Sequence, residues 1–148
     1  MGNFNLSGAN KIVPEGWYKF RIAKAEEKVT QKGSHHDQYD CIILEGLETG
    51  KKYLGVTIQK SLWESPGAAP MNARFLEILG AENLTDSQDM YLSNVSVNPR
   101  DYIGNTFWAL IENKTDDYGK KSEFKTYSKE QPEVVSTESS KRGLFDEE

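Results

Sequence analysis

The sequence predicts a mainly β domain: a five-stranded, partly open Greek-key barrel with one helix between the third and fourth strands. Three observations predict it. Segments at residues 17–22, 39–44, 52–59, 106–112 and 123–127 are rich in β-branched and aromatic residues and are separated by clusters of Gly, Pro, Asn and Asp. One stretch breaks that habit, with Met71, Phe75, Leu76 and Leu79 at helical spacing. From Ser128 the composition turns to Glu, Ser, Val, Pro and Lys without periodicity, as expected of a disordered acidic tail over residues 128–148.

Residues 1–12 are polar and Asn-rich and read as an N-terminal arm, leaving residues 13–127 as the domain. Val13-Pro14-Glu15-Gly16 is a turn, because Pro fixes one corner and Gly frees the next. Strand one follows and extends to about Thr30. Side chains alternate along a strand, so Tyr18, Phe20 and Ile22 share one face and Trp17, Lys19 and Arg21 the other. The first face reads as core. The second joins an indole to two cations, a combination suited to stacking on bases and neutralising phosphates. The length of this strand, with Ala23 and Ala25 midway, predicts a bend that lets it serve two sheets or curl around a small barrel.

A loop at 31–37 leads to strand two at 39–44, where Cys41, Ile42, Ile43 and Leu44 form a nearly continuous apolar run. Gly46 and Gly50 mark a hairpin turn, and residues 52–59 alternate as strand three, with Leu54, Val56 and Ile58 opposite Tyr53, Gly55 and Thr57. Ser65–Pro70 interrupts the pattern before the helix, which Gly80 stops. Residues 81–97 read as irregular. Asn98-Pro99 pairs a capping residue with Pro at the first helical position, predicting one turn that ends at Gly104. Strand four is 106–112 and strand five 123–127, and the polar, basic stretch 113–122 between them reads as a loop tipped by Tyr118. In a barrel of the oligonucleotide-binding type, strands two and three and the loops joining strands one to two and four to five form the ligand surface. Here those loops carry Lys32, His35 and His36, then Lys114, Tyr118, Lys120 and Lys121.

The 148 residues suffice for one domain with its own core plus tails. No run reaches the length needed to cross a bilayer and no basic segment precedes an apolar one at the N-terminus, so a membrane association or secretion is not expected. The single cysteine, Cys41, fits a reducing cytoplasm. The net charge of −5 argues against a polyanion partner until its distribution is considered. Residues 128–148 hold three of the 18 basic and six of the 23 acidic residues, which leaves residues 1–127 at −2. A local basic groove is compatible with that balance.

Other constellations carry less. Trp63 and Trp108 read as packing residues, since large aromatics in strands ordinarily pack. Adjacent His35 and His36 point apart and no Cys or His spacing motif accompanies them, so no metal or other cofactor is expected. Gly119-Lys120-Lys121-Ser122 lacks the upstream glycine and the adjacent Ser or Thr of a phosphate loop. Glu123-Phe124-Lys125 with Asp101 is similar to the acid-x-lysine element of metal-dependent nucleases, but no other acid, base and nucleophile set accompanies it, and the chain reads as a non-enzyme.

On Val13-Pro14-Glu15-Gly16-Trp17-Tyr18, Gly50-Lys51-Lys52-Tyr53, Phe75 to Gly80, and Tyr102-Ile103-Gly104-Asn105-Thr106-Phe107, the chain resembles the small single-stranded DNA-binding proteins of bacteriophage replication and recombination modules. The resemblance implies a barrel that coats single strands with little sequence preference, in the host cytoplasm if phage-encoded, and an acidic tail that recruits replication or recombination proteins. The candidate nucleic-acid residues are Trp17 and Tyr53 for stacking, Lys19, Arg21, Lys52, Lys120 and Lys121 for phosphates, with Tyr39 and Tyr118 completing the set. The candidate docking tail is Leu144, Phe145, Asp146, Glu147 and Glu148. In many such proteins an aromatic residue ends the tail after a run of acids; here Phe145 precedes the acids, which favours an internal apolar contact. A homodimer is compatible with the sequence. The competing expectations are a protein-interaction module using the same surface and, third, a nuclease dependent on Glu123.

Overall fold

A computed structural model describes residues 2–4, 12–117 and 119–133, the side chain of Asp116 excepted. Strand β1, Gly16–Val29, is the spine: it pairs antiparallel with β2, His35–Gly46, along its length and with β4, Thr106–Asp116, along its first half. Strand β3, Thr57–Trp63, flanks β2, and β5, Gly119–Ser128, flanks β4. The result is one open antiparallel sheet of order β3-β2-β1-β4-β5 with a helix, α1, Ala69–Leu79, between β3 and β4 in the chain. The outer strands β3 and β5 curl toward each other until some of their Cα atoms lie within 8 Å, without a shared ladder.

The expected alternation in strand one holds where it was read. Tyr18, Phe20 and Ile22 are buried, Trp17 and Lys19 are half-buried on the other side, and Arg21 is exposed. The expected bend is a pair of register shifts. Leu44 is an extra residue on β2 between the pairs Lys19↔Glu45 and Phe20↔Ile43, and Ala23 is an extra residue on β1 between Ile22↔Cys41 and Lys24↔Asp40.

Helix α1 covers the inner face of the sheet. Its Phe75 is fully buried, with ring centroids 5.1 Å from Tyr39, 5.7 Å from Phe107, 5.5 Å from Tyr127 and 6.4 Å from Phe124. Leu79 packs beside it, whereas Met71 remains exposed. Gly80, at φ 91°, turns its N–H back to the Glu77 and Leu76 carbonyls, and the Asn105 side chain donates to the Leu79 carbonyl at 2.8 Å, so the helix end is satisfied. Asn98 caps a 3-10 turn at Pro99–Tyr102 as expected, its Oδ1 accepting from the Arg100 N–H at 3.2 Å. Residues 81–98 lack regular structure apart from a bridge between Thr85 and Tyr91.

Three element boundaries differ from the sequence reading. Strand β2 begins at His35, so His35, His36 and Asp37 lie on it, paired with β1, rather than in the preceding loop. Residues 51–55 form consecutive turns rather than the start of strand three: Lys52 N–H donates to the Thr49 carbonyl, Leu54 N–H to Lys51 and Val56 N–H to Tyr53. Strand β3 therefore begins at Thr57 and runs on to Trp63. The stretch 113–122 is not a loop either. Both strands continue through it to the pair Asp116↔Gly119. Its inward polar residues bond one another: Val13 N–H donates to Ser122 Oγ at 3.1 Å, Ser122 Oγ–H to Asn113 Oδ1 at 2.6 Å, and Asn113 Nδ2 to the Val13 carbonyl at 2.9 Å. A polar pair at the end of a sheet thus continues the ladder because its donors and acceptors are met.

Among the described residues no helix is long and apolar enough to cross a membrane. Phe75 joins the helix to both halves of the sheet, so Phe75→Ala is expected to cost about 3–5 kcal/mol of stability in a denaturant titration, at the level of a large buried aromatic left as a cavity. The conservative Phe75→Leu is expected to lose distinctly less.

Candidate nucleic-acid interface

The extra residue at Ala23 determines what β1 presents outward. Simple alternation from Trp17 would turn Ala23, Ala25 and Glu27 outward and send Lys24 and Lys28 into the core. The bulge reverses the phase: Ala25 is buried opposite Tyr39, while Lys24 and Lys28 come to the outer face, opposite Asp40 and His36. The outward side of one strand therefore carries Trp17, Lys19, Arg21, Lys24, Glu26 and Lys28. Lys24 and Lys28 were not among the sequence candidates. Their signal was present, since charged residues that alternation assigns to a core, next to small Ala23 and Ala25, imply a bulge.

Acids accompany this file. Glu45 lies opposite Lys19 and Asp40 opposite Lys24, and Lys28 Nζ is 3.4 Å from Glu26. The hairpins at its two ends extend it. The β4–β5 hairpin lies at the Trp17 end, since Gly16 pairs with Ile111 and the strands continue beyond. The β1–β2 turn lies at the Lys28 end, with Lys32 and His35 exposed.

The other sequence candidates are placed as follows. Tyr39 is fully buried against Phe75, so it is no part of an exposed surface, and burial pushes its phenol well above the ordinary value. It faces inward because it pairs with Ala25 beyond the bulge. Tyr53 is half-buried, edge-on to Tyr18 at 6.4 Å, and its partner Lys52 holds its ammonium 5.7 Å from the Tyr53 ring centroid. This pair packs at the Trp17 end, where Leu47 N–H donates to the Trp17 carbonyl. Lys120 and Lys121 do not act as one clamp. As neighbours in β5 they point to opposite faces: Lys121 joins Glu123 at 2.9 Å, while Lys120 is exposed on the other side. Lys114, opposite Lys121, reaches Glu112 at 3.6 Å and Glu123 at 3.8 Å. Tyr118 and the tail residues Leu144 to Glu148 lie outside the described residues.

Trp108 is buried, as its packing role requires, but Trp63 is not. It stands at the end of β3 with 39% of its surface exposed and stacks on His36 at 4.1 Å. The sequence reading makes Trp63 a packing residue that closes the region after strand three, because large aromatics are usually at least partly buried, and it ends that strand at Gln59. The missed signal was the period of two continuing past Gln59, with Ile58 and Leu62 inward on either side of Lys60.

Beneath this end Asp37 faces inward, its carboxyl raised above the ordinary value first by burial, then by Glu27 and Glu64, with His36 opposing. Lys60 is lowered by burial, with Glu123 acting against the shift. A cleft of about 650 Å³ between α1 and β5 is lined by Arg74, Glu77, Ile78, Tyr127 and Lys129 among others, none of them in the outward file of β1. Among the described residues no group of three or more His, Cys, Asp and Glu is placed to hold a metal ion. No protein-family model matches the chain, and no curated protein matches its sequence.

An acid whose value is raised on folding binds its proton more tightly in the folded chain, so its contribution is favourable below the ordinary carboxylate value and is lost as pH rises through the raised one. Asp37→Asn is therefore expected to raise the thermal midpoint at pH 7 and to leave it little changed at pH 3. Melts at the two pH values check the sign.

Proposed function

We propose that the chain binds single-stranded DNA along the outward face of β1, without catalysis and with little sequence preference. The observation that carries this reading is the file Trp17, Lys19, Arg21, Lys24 and Lys28: alternation puts the first three on one face of β1, and the Ala23 bulge brings Lys24 and Lys28 to the same face. An indole beside spaced cations offers a base a stacking partner and a phosphate backbone successive counter-charges, the two elements of sequence-tolerant single-strand binding. Lys28 is paired with Glu26, and Lys19 and Lys24 lie opposite Glu45 and Asp40, which keeps the surface near neutral in the free chain; a phosphate replaces Glu26 at little cost because partly exposed ion pairs contribute only about 0–1 kcal/mol.

The architecture supports the same reading. A long first strand shared by β2 and β4, a helix between β3 and β4, and outer strands that approach one another suit a partly open Greek-key barrel of the oligonucleotide-binding type. In such a barrel the two hairpins at the ends of β1 bracket the ligand. The resemblance of residues 13–18 and 102–107 to phage single-stranded DNA-binding proteins points the same way and suggests a place in phage replication or recombination. On this reading, the acidic tail with Leu144 and Phe145 recruits partner proteins.

Oligothymidine is expected to bind far more tightly than duplex of the same length, with affinity falling steeply as salt rises. Arg21→Ala and Lys24→Ala are each expected to reduce the slope of log K against log[salt] by about 0.7, the value for one phosphate contact on a single strand. Trp17→Ala is expected to weaken binding with the slope unchanged. Equal affinity for single strands and duplex, or none for either, overturns the proposal. A second reading, a protein-interaction module on the same face, is favoured by the alternation of Lys19, Lys24 and Lys28 with Glu45, Asp40 and Glu26, and unquenched tryptophan fluorescence on adding oligonucleotide would support it.

A further inference from the structure

We infer that Trp63 and His36 form a second base-stacking subsite at the far end of the same face, and that a bound single strand runs from Trp17 to Trp63. This inference rests on the proposed single-strand binding and specifies its extent. The register gives the path. Lys28 of β1 pairs with His36 of β2, and His36 with Trp63 of β3, so the three form one outward row across the sheet. Trp17 lies eleven positions before Lys28 on β1, a separation of roughly 36 Å at about 3.3 Å per residue, shortened by the bulge. A track of that length lies within the range of about 4–16 nucleotides bound by one oligonucleotide-binding barrel.

The subsite is built before any ligand arrives. His36 stacks on the indole at 4.1 Å and 26°, and the side chain remains 39% exposed. The backbone beneath is pinned: the Trp63 carbonyl accepts from Asn72 of α1 at 2.8 Å, and the Glu64 N–H donates to the His35 carbonyl at 3.2 Å. His36 Nδ1 is buried without a hydrogen-bond partner among the described residues, so stacking rather than hydrogen bonding orients this ring. A base added to the indole would extend the stack by one member, on a platform whose rotamer is already restricted. The charge here differs from that near Arg21. Lys28 shares its file with Glu26, 3.4 Å away, whereas Arg21 lies opposite Ile42 and Thr106; Trp63 and His36 therefore add stacking, and the phosphate contacts stay with the cations of the file.

The test is binding of oligothymidines of 4 to 20 nucleotides at two salt concentrations to the wild type, Trp63→Ala, Trp63→Phe and His36→Phe. In the wild type, affinity is expected to rise with length until both ends are spanned. Trp63→Ala should reach its plateau at a shorter length, bind long oligomers about 5- to 150-fold more weakly, as for one lost stacked base, and keep the wild-type salt slope. Trp63→Phe and His36→Phe should restore most of the affinity, because each keeps an aromatic stack. In Trp17→Phe the remaining indoles are Trp63 and the buried Trp108, and oligothymidine should quench the exposed one. Wild-type affinity of Trp63→Ala for long oligomers, an equal loss at every length, or binding by Trp17→Phe without quenching would overturn the subsite while leaving single-strand binding intact. Failure of the wild type to bind at any length would overturn the functional proposal and this inference with it.

Discussion

Strand β1 is hydrogen-bonded on both sides over its first half, to β2 and to β4, and nothing else in the sheet can be placed until its register is set. Because side chains alternate with a period of two, a slip of one residue would turn Tyr18, Phe20 and Ile22 outward and bring Lys19 and Arg21 against Phe75 and Phe107. The penalty for burying those cations unpaired fixes the first half. The second half obeys the same rule with a different outcome. Strict continuation would bury Lys24 and Lys28, and an extra residue at Ala23 avoids it by passing the inward role to Ala25, whose small side chain leaves room for Tyr39. The bulge is thus a requirement of the core, and the row of outward cations is its consequence.

The β4–β5 hairpin shows how the opposite arrangement is tolerated. Glu112 lies directly across from Glu123 and Lys114 across from Lys121, pairings of like charge that a sheet ordinarily disfavours. The two rows are adjacent, so each lysine turns to a glutamate of the neighbouring row: Lys114 to Glu112 and Glu123, Lys121 to Glu123. The four groups neutralise one another along the strand. The hairpin therefore extends as ordered sheet through a stretch whose composition resembles that of a loop, and Lys114 and Lys121 are committed to local acids in the free chain.

That explains what could be read from the residues alone. Strand one, the helix around Phe75, the turn at Pro99 and the core face of β1 were legible because each rests on local periodicity or a capping residue. Residues 113–122 read as a loop because composition reports the average polarity of a segment, whereas the conformation there depends on a partner distant in sequence, Ser122 with Val13; residues 51–55 read as strand because their alternation of residue types conceals a run of local turns. Tyr39 looked like a surface aromatic because its pairing with Ala25 follows from a bulge that alternation does not contain. Trp17, Lys19 and Arg21 were legible as one face, while Lys24, Lys28 and Trp63 needed the register across three strands.

The charge balance of the outward face bears on what kind of binding it favours. A uniformly basic groove would attract any polyanion, duplex included, and would strain the folded chain by self-repulsion. Here each outward lysine has an acid opposite or beside it, and the aromatic groups stand at the two ends, Trp17 near the β4–β5 hairpin and Trp63 beside the β1–β2 turn. Phosphate contacts are open to either form of DNA, so on the proposed reading discrimination falls to the groups that require an unpaired base. A duplex offers its phosphates to such a face but keeps its bases stacked inside, so it would gain the phosphate contacts alone, whereas a single strand would gain stacking as well. On the proposed reading, selectivity for single strands therefore rests on the aromatic groups at the two ends, and the limited charge of the face keeps a duplex from gaining as much.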